Sequence, residues 1–317
     1  MKYFPKPIFV ERINSLLRNE ADRENFWRVV RTESLISIRC NTLKISPAEL
    51  RKKLEHRGWR IEQPYEKNPE IMIIKNKLLP GELGKAPEHL LGYYYIQELS
   101  SMMPILALQL SQKNALLDIA ASPGSKTTQA SALMENRGVI IANDISIGRI
   151  SILAANLEKI GCTNVIVTRH DGVVLCEKLK KLNFKFDKIL ADVPCSGEGN
   201  IRNNPKTFKI WSLKAVQKLS KMQKKLASSA LKLLKPGGEM LYSTCTHSPE
   251  ENECVVQHLL DNFRVAVQDI KLPIKTRSGL TEWQNYTFSS ELKKARRIYP
   301  QDNNTEGFFL CKIRKEE

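Results

Sequence analysis

Residues 117–130, Leu-Asp-Ile-Ala-Ala-Ser-Pro-Gly-Ser-Lys-Thr-Thr-Gln-Ala, carry an apolar strand straight through a turn of small residues into a helix. Such a junction leaves free backbone N–H groups and the positive end of a helix over whatever binds there, which suits a carboxylate or a phosphate. A P-loop would need glycine where this chain has Ala120 and Ser125, and the dinucleotide pattern GxGxxG is also missing. A generic nucleoside-type site remains.

Working outward, the pattern stays regular: a strand at 115–119, a helix at 124–135, a strand at 138–142, a helix at 146–160, a strand at 164–169, a helix, and a strand at 187–191. Strands alternating with helices of that length predict right-handed crossovers and a doubly wound parallel sheet covered on both faces. A long basic helix over about 211–235 stops at Lys235-Pro236-Gly237-Gly238, and a strand (239–243) and a helix from 249 follow. The segment 270–305 reads as irregular and polar, and 307–313 as a closing apolar strand. Before residue 110 the spacing differs. Helical patterns at 7–19, 22–31 and 46–57 alternate with strand-like pieces such as Ile71-Met72-Ile73-Ile74. The expected organisation is therefore an α/β catalytic domain over 111–317 behind a small α+β accessory domain over 1–110.

The 317 residues are 42% hydrophobic and 26% charged, an ordinary globular balance that excludes a disordered or collagen-like chain. No apolar run approaches the roughly 20 residues of a bilayer span, and the amino terminus lacks the apolar core of a secretory signal. The formal charge is +16, with +5 in residues 1–110 and +11 in 111–317. A field of that sign gathers polyanions, so nucleic acid is the first partner to consider. Seven cysteines without CxxC pairs read as reduced thiols in a cytoplasmic protein, and the five histidines show no metal-site spacing.

Ligands of wound sheets sit beyond the carboxyl ends of the strands. Asp144 ends the second strand, where a carboxylate accepts from ribose hydroxyls, and Asp171 follows the third, where it can meet an adenine edge; either could instead cap the next helix. Asp192, Pro194 and Cys195 close the fourth strand and Cys245 follows the fifth. The first, fourth and fifth strands should be neighbours, so both thiols would face one crevice. Ser248-Pro249-Glu250-Glu251 has the form of a capping box, whose helix end would favour a thiolate at Cys245. Cys40, Cys162, Cys176, Cys254 and Cys311 read as packing residues.

The segments Asp192-Val193-Pro194-Cys195-Ser196-Gly197 and Ser243-Thr244-Cys245-Thr246, with Pro123-Gly124-Ser125-Lys126-Thr127 upstream, resemble the RNA (cytosine-5) methyltransferases that use S-adenosylmethionine. The likeness extends to Ile38-Arg39-Cys40-Asn41-Thr42-Leu43-Lys44, Tyr95-Ile96-Gln97-Glu98 and Glu306-Gly307-Phe308-Phe309, hence over nearly the whole chain. The resemblance implies a Rossmann-like class I methyltransferase sheet and an RNA-binding role for residues 1–110. It implies Cys245 as nucleophile, Cys195 as the second thiol that assists release, and Asp192 and Lys126 beside them. It also implies cofactor contacts from Ala120, Ala121, Ser122, Pro123, Gly124, Ser125, Lys126, Asp144, Arg149, Asp171 and Asp192. The family's usual first loop is Cys-Ala-Ala-Pro-Gly-Gly-Lys, so Ser125 replaces a glycine. In DNA methyltransferases of related chemistry the Pro-Cys thiol is the nucleophile, which keeps the exchanged assignment open.

Carbon 5 of cytosine is a poor nucleophile, but thiolate addition at carbon 6 pushes electron density onto it. A protonated Asp192 near the ring nitrogen would stabilise the developing charge. The base must leave its stack, so the protein must hold single-stranded or flipped-out RNA. Candidate phosphate-gripping faces are the helix bearing Lys206, Lys209, Lys214, Lys218, Lys221, Lys224 and Lys225 with Trp211 among them, the run Lys293-Lys294-Ala295-Arg296-Arg297, and the amino-terminal Arg39 and Lys44. The expected substrate is tRNA, with ribosomal RNA as the runner-up, acted on by a monomer without metal. A non-catalytic RNA-binding factor on the same fold is the rival, and the paired cysteines speak against it.

Overall fold

The computed structural model describes residues 4–316. The chain opens with α1 (Pro7–Leu16) and α2 (Glu20–Val30). Proline starts α1, where no N–H is needed, and Asn19 caps α2 by accepting from Asp22 N. Their apolar faces, with Phe9, Ile13 and Phe26, pack on Phe208, Trp211 and Tyr299 from far along the chain. Strands β1 (Ile36–Cys40), β2 (Ile61–Glu62), β3 (Ile71–Ile74) and β4 (Tyr94–Ile96) then form an antiparallel sheet in the order β2-β3-β1-β4. Helix α3 (Pro47–His56) starts with a Ser46/Glu49 capping box and enters this core through Leu50 and Leu54. Two single-turn helices, α4 (Glu82–Lys85) and α5 (Pro87–Leu90), precede β4.

Helix α6 (Leu99–Leu108) is apolar nearly all round and correspondingly buried. Strands and helices then alternate as expected: β5 (Ala115–Asp118), α7 (Ser125–Leu133), β6 (Val139–Asp144), α8 (Ile147–Ile160), β7 (Val165–Arg169), α9 (Gly172–Lys181) and β8 (Phe186–Asp192). After them come α10 (Thr207–Ile210), α11 (Leu213–Leu231), β9 (Leu234–Thr244), α12 (Glu253–Asn262) and β10 (Val265–Gln268). The remainder is β11 (Arg277–Ser278), a hairpin of β12 (Glu282–Trp283) and β13 (Tyr286–Thr287), β14 (Arg296–Ile298), α13 (Pro300–Asn303) and β15 (Phe308–Lys315). The large sheet runs β11-β14-β15-β9-β8-β5-β6-β7, with β10 also on β15. Pairs from β9 to β7 are parallel and β15 is antiparallel to β9. Leu175 of α9, Ala227 of α11 and Val255 of α12 cover one face, and Met102 of α6 and Ala130 of α7 cover the other. This is the doubly wound, Rossmann-like sheet that the alternation predicts, with the first, fourth and fifth wound strands adjacent.

Three expectations need correction. The basic helix ends at Leu231, and Lys235-Pro236-Gly237-Gly238 lies within β9, where the register against β8 shifts between Phe186 and Lys188 and Gly237 takes a φ of 72°. The helix after Cys245 begins at Glu253 rather than 249, because Ser248 gives its hydroxyl to Glu198 instead of forming a cap. The segment 270–305 carries four short strands and two helical turns, and its β14 joins the main sheet.

Candidate active site

The direction of strand succession reverses between β5 and β8, and the crevice beyond their carboxyl ends is where such sheets bind ligands. Cys195 lies three residues past β8 and Cys245 directly past β9. Because β8 pairs in parallel with β9, Asp192 opposite Ser243, these two exits lie side by side and the sulfurs approach to 3.2 Å across 50 positions of sequence. Both thiols are free and partly accessible. Gly199 N donates to the Cys245 carbonyl at 2.9 Å, and the Ser196 and Thr246 hydroxyls meet at 2.8 Å. The adjoining Cys245 sulfur, together with burial, pushes the Cys195 thiol well above the usual range.

Lys126, in the first turn of α7, reaches Asp192 Oδ2 at 2.7 Å, donates to Ser101 Oγ at 3.0 Å and stands 5.3 Å over the Phe308 ring. Ser243 Oγ donates to the other Asp192 oxygen at 2.8 Å, so both carboxylate oxygens act as acceptors. Burial would pull the Lys126 ammonium down, but the charge of Asp192 and the hydrogen bond to it outweigh this and hold its pKa above the ordinary value. Behind this pair Asp118 accepts from the Thr127 hydroxyl at 2.7 Å, and burial drives its carboxyl up to about 7. Lys126, Asp192, Cys195 and Cys245, named from the sequence, thus belong to one cluster.

A cavity of about 420 Å³ opens beside it, bounded by Ile119, Ala120, Asp144, Arg149, Asp171 and Pro194. Its size suits a small-molecule ligand. Asp144 is 4% exposed at the end of β6, accepts from Ser146 N and lies 3.4 Å from Arg149, which leaves carboxylate capacity toward the cavity. Apolar Ile119, Ile145, Val173 and Leu226 offer walls for a base. The residues present therefore fit a nucleoside with ribose hydroxyls. Asp171 also caps α9, accepting from Val173 N and Val174 N, so the capping and the pocket readings of that residue both hold.

The rest of the loop supports rather than lines the cavity. Ser122 Oγ donates to the Arg149 carbonyl and an Arg149 guanidinium N–H to the Ser122 carbonyl, a reciprocal clip. Ala121 N donates to Asn143 O, Asn156 holds the Pro123 carbonyl, and Gly124 takes a φ of 102° that only glycine adopts freely. Ser125 opens α7 with ordinary helical backbone, so nothing at that position requires glycine.

Several basic candidates turn inward. Trp211 is 3% exposed and donates to Glu198, so it offers no stacking face. Arg39 is buried and bonds Gln97, the Ser125 carbonyl and Thr128, tying the small sheet to α7. Lys44 is spent on the carbonyls of Leu91 and Lys159. Arg297 is fully buried in an ion pair with Glu253, and Lys294 donates to the Val267 carbonyl. Lys206 and Lys209 lie outside α11, at α10. Lys218, Lys221 and Lys225 of α11 are exposed and rim the cavity itself. Sequence reasoning gave no site role to Ser101, Ser243, Phe308, Gln223 or Glu251, although Ser243, Phe308 and Glu251 lie inside motifs it quoted. Among the described residues there is no cluster of His, Cys, Asp and Glu that could hold a metal, and no helix is long and apolar enough to cross a membrane.

Comparison with known proteins adds a context. A family model described as 16S rRNA methyltransferase RsmB/F matches residues 105–314, and the N-terminal domain of 16S rRNA methyltransferase RsmF matches 5–99. A tRNA (cytosine(49)-C(5))-methyltransferase of Pyrococcus abyssi is 41% identical over 306 residues, covering 96% of this chain and 95% of that protein. Ribosomal RNA small subunit methyltransferase F of Vibrio parahaemolyticus is 39% identical over 97% of this chain, which spans 62% of that protein's length. A crystal structure of a methyltransferase homolog protein from Pyrococcus horikoshii superposes with a TM-score of 0.82 at 33% identity, covering 98% of this chain and 99% of that one. NSun6 from the same organism, solved with SFG, gives a TM-score of 0.80 at 24% identity over 97% of this chain and 98% of that one, and shows the shared fold.

Proposed function

The chain belongs to the RsmB/F methyltransferase family and is an S-adenosylmethionine-dependent RNA (cytosine-5) methyltransferase, and from that premise we propose that it methylates tRNA through a covalent bond between Cys245 and carbon 6 of the target cytosine. The observation that carries the covalent step is the pair of sulfurs 3.2 Å apart, at the edge of a cavity that reaches Pro194. Cys245 Sγ adds to carbon 6, and the electron pair of the C5–C6 double bond moves to carbon 5. S-adenosylmethionine, when bound, supplies the electrophilic methyl group. Asp144, with Ala120, Arg149 and Asp171, holds the nucleoside portion. Lys126 donates to Asp192, and this pair is the group that faces the ring nitrogen, where the Lys126 charge offsets the negative charge that thiolate addition develops. Cys195, having given its own proton to solvent, takes the carbon 5 proton; the C5–H electron pair re-forms the C5–C6 double bond, and the S–C6 bond breaks with its electron pair leaving on Cys245.

Support for tRNA comes from the Pyrococcus abyssi relative, aligned over 95% of its length. Ribosomal RNA is the second reading, favoured by the family description and the Vibrio relatives. Lys218, Lys221 and Lys225 are the phosphate-contacting set on α11, and the small sheet of the accessory domain over 1–110 supplies further RNA surface. The same reading makes the enzyme a cytoplasmic monomer. The test is incubation with S-adenosylmethionine and unmodified tRNA or 16S rRNA transcripts, separately, followed by digestion and mass spectrometry. 5-Methylcytidine in tRNA alone is expected; in ribosomal RNA alone it promotes the second reading, and in neither it removes both.

A further inference from the structure

The two residues that flank Cys195 are gripped from behind by side chains with no place in the chemistry above. Glu251 Oε2 accepts from Ser196 N at 3.0 Å and from Gln223 Nε2 at 2.8 Å. The same Gln223 Nε2 donates to the Pro194 carbonyl at 2.8 Å. One side chain therefore holds the residue before Cys195, another the residue after it, and the two are bonded to each other. Glu251 and Gln223 are each 0% exposed, and Tyr242 fixes Glu251 further by donating its hydroxyl to the Glu251 carbonyl.

The origins of these groups matter. Glu251 stands six residues beyond Cys245 in the turn leading to α12, and Gln223 is on the buried side of α11, whose other side carries the cavity-rimming lysines. The loop bearing one thiol is thus anchored to the segment continuous with the other. Burying a carboxylate is costly, and its cost falls when it accepts from a backbone N–H and an amide. A buried Glu bonded to the loop of a single cysteine and to the amide that holds the same loop has the arrangement of a support that sets a reacting group's position.

We propose that Glu251, braced by Gln223, is the positioning residue that holds the Cys195 thiol against Cys245, and so sets the rate of product release rather than of methyl transfer. The inference rests on the reading of Cys195 as the release thiol. Glu251→Ala, Glu251→Gln and Gln223→Leu, with Cys195→Ser as reference, are compared for denaturant-stable protein–RNA adduct and for free methylated RNA in single turnovers on the transcript that the wild type methylates. Expected for Glu251→Ala is adduct formed at near the wild-type rate and release slowed at least 10-fold. Glu251→Gln, whose amide oxygen still accepts from Ser196 N, recovers most of the release rate. Gln223→Leu reports on the same brace should Glu251→Ala fail to fold. Adduct and product falling together, or release unchanged while Cys195→Ser traps adduct, overturns the proposal. A second measurement is independent of what Cys195 does: in a Cys245→Ser background, Glu251→Ala should speed alkylation of Cys195 by iodoacetamide at least 10-fold while buried Cys40 and Cys176 stay unlabelled. If Cys195→Ser releases product normally, the release role is lost and the alkylation rate alone decides whether Glu251 holds the thiol; an unchanged rate overturns the positioning role.

Discussion

Cys195 Sγ and Cys245 Sγ lie 3.2 Å apart, each on the first turn of chain beyond one of two parallel, hydrogen-bonded strands. Two thiols at that separation can address adjacent carbons of one pyrimidine ring, and the proposed mechanism assigns the attack to Cys245 and the release to Cys195. Cys245→Ser is expected to abolish both adduct and product, whereas Cys195→Ser leaves a denaturant-stable protein–RNA adduct on a gel. The opposite pattern exchanges their roles.

Asp192→Asn turns the ion pair with Lys126 into a neutral hydrogen bond and, on the proposed mechanism, weakens the group that faces the developing charge. Asp192→Asn should lower kcat by about 10²-fold or more, in the range of a lost general acid or electrostatic stabiliser. Full activity in steady-state methylation assays would remove Asp192 from the chemistry.

Replacing Lys218, Lys221 and Lys225 with Gln should flatten the plot of log binding constant against log salt by about 0.7 to 0.9 for each lysine that meets a phosphate. An unchanged slope in filter-binding titrations returns that helix face to solvent.

The Arg297–Glu253 ion pair has side-chain exposures of 2% and 0%, and Arg297 also donates to the His247 carbonyl two residues past Cys245. Removing one partner strands a buried charge. Arg297→Met is expected to cost about 3–5 kcal/mol, measured by urea unfolding, and to loosen the Cys245 loop with it.

Burial, with the neighbouring Glu98 carboxylate, pushes Glu306 from 4.5 up to about 7. The native state then holds a proton that the unfolded chain releases, so this group's contribution is intact below about pH 4.5 and is lost as pH rises through 7. In Glu306→Gln the decline in stability between pH 5 and 8 should be shallower than in the wild type; an equal decline in urea midpoints across that range contradicts the assignment.

Much of this was legible in the linear chain, because hydrophobic period, turn residues and strand-to-helix junctions are local. The alternation from residue 115 to 192 announced the wound sheet, and the small-residue turn at 120–126, Asp144, Asp192 and the two cysteines were marked as residues at the carboxyl ends of its strands, where the structure places them. Exposure and partnership were not local. Trp211, Arg39 and Arg297 read as a basic and aromatic RNA surface, yet each is buried against a residue at least thirteen positions away, Glu198, Gln97 and Glu253 respectively. Ser248 reads as a helix cap, but Glu198 claims its hydroxyl and the helix starts later. The residue types, and hence the chemistry available, were set by the sequence. Which thiols meet, which lysines stay exposed and which carboxylate stands behind Cys195 were decided by the tertiary structure, since pairing β8 beside β9 brings the two sulfurs and Glu251 within reach of one another.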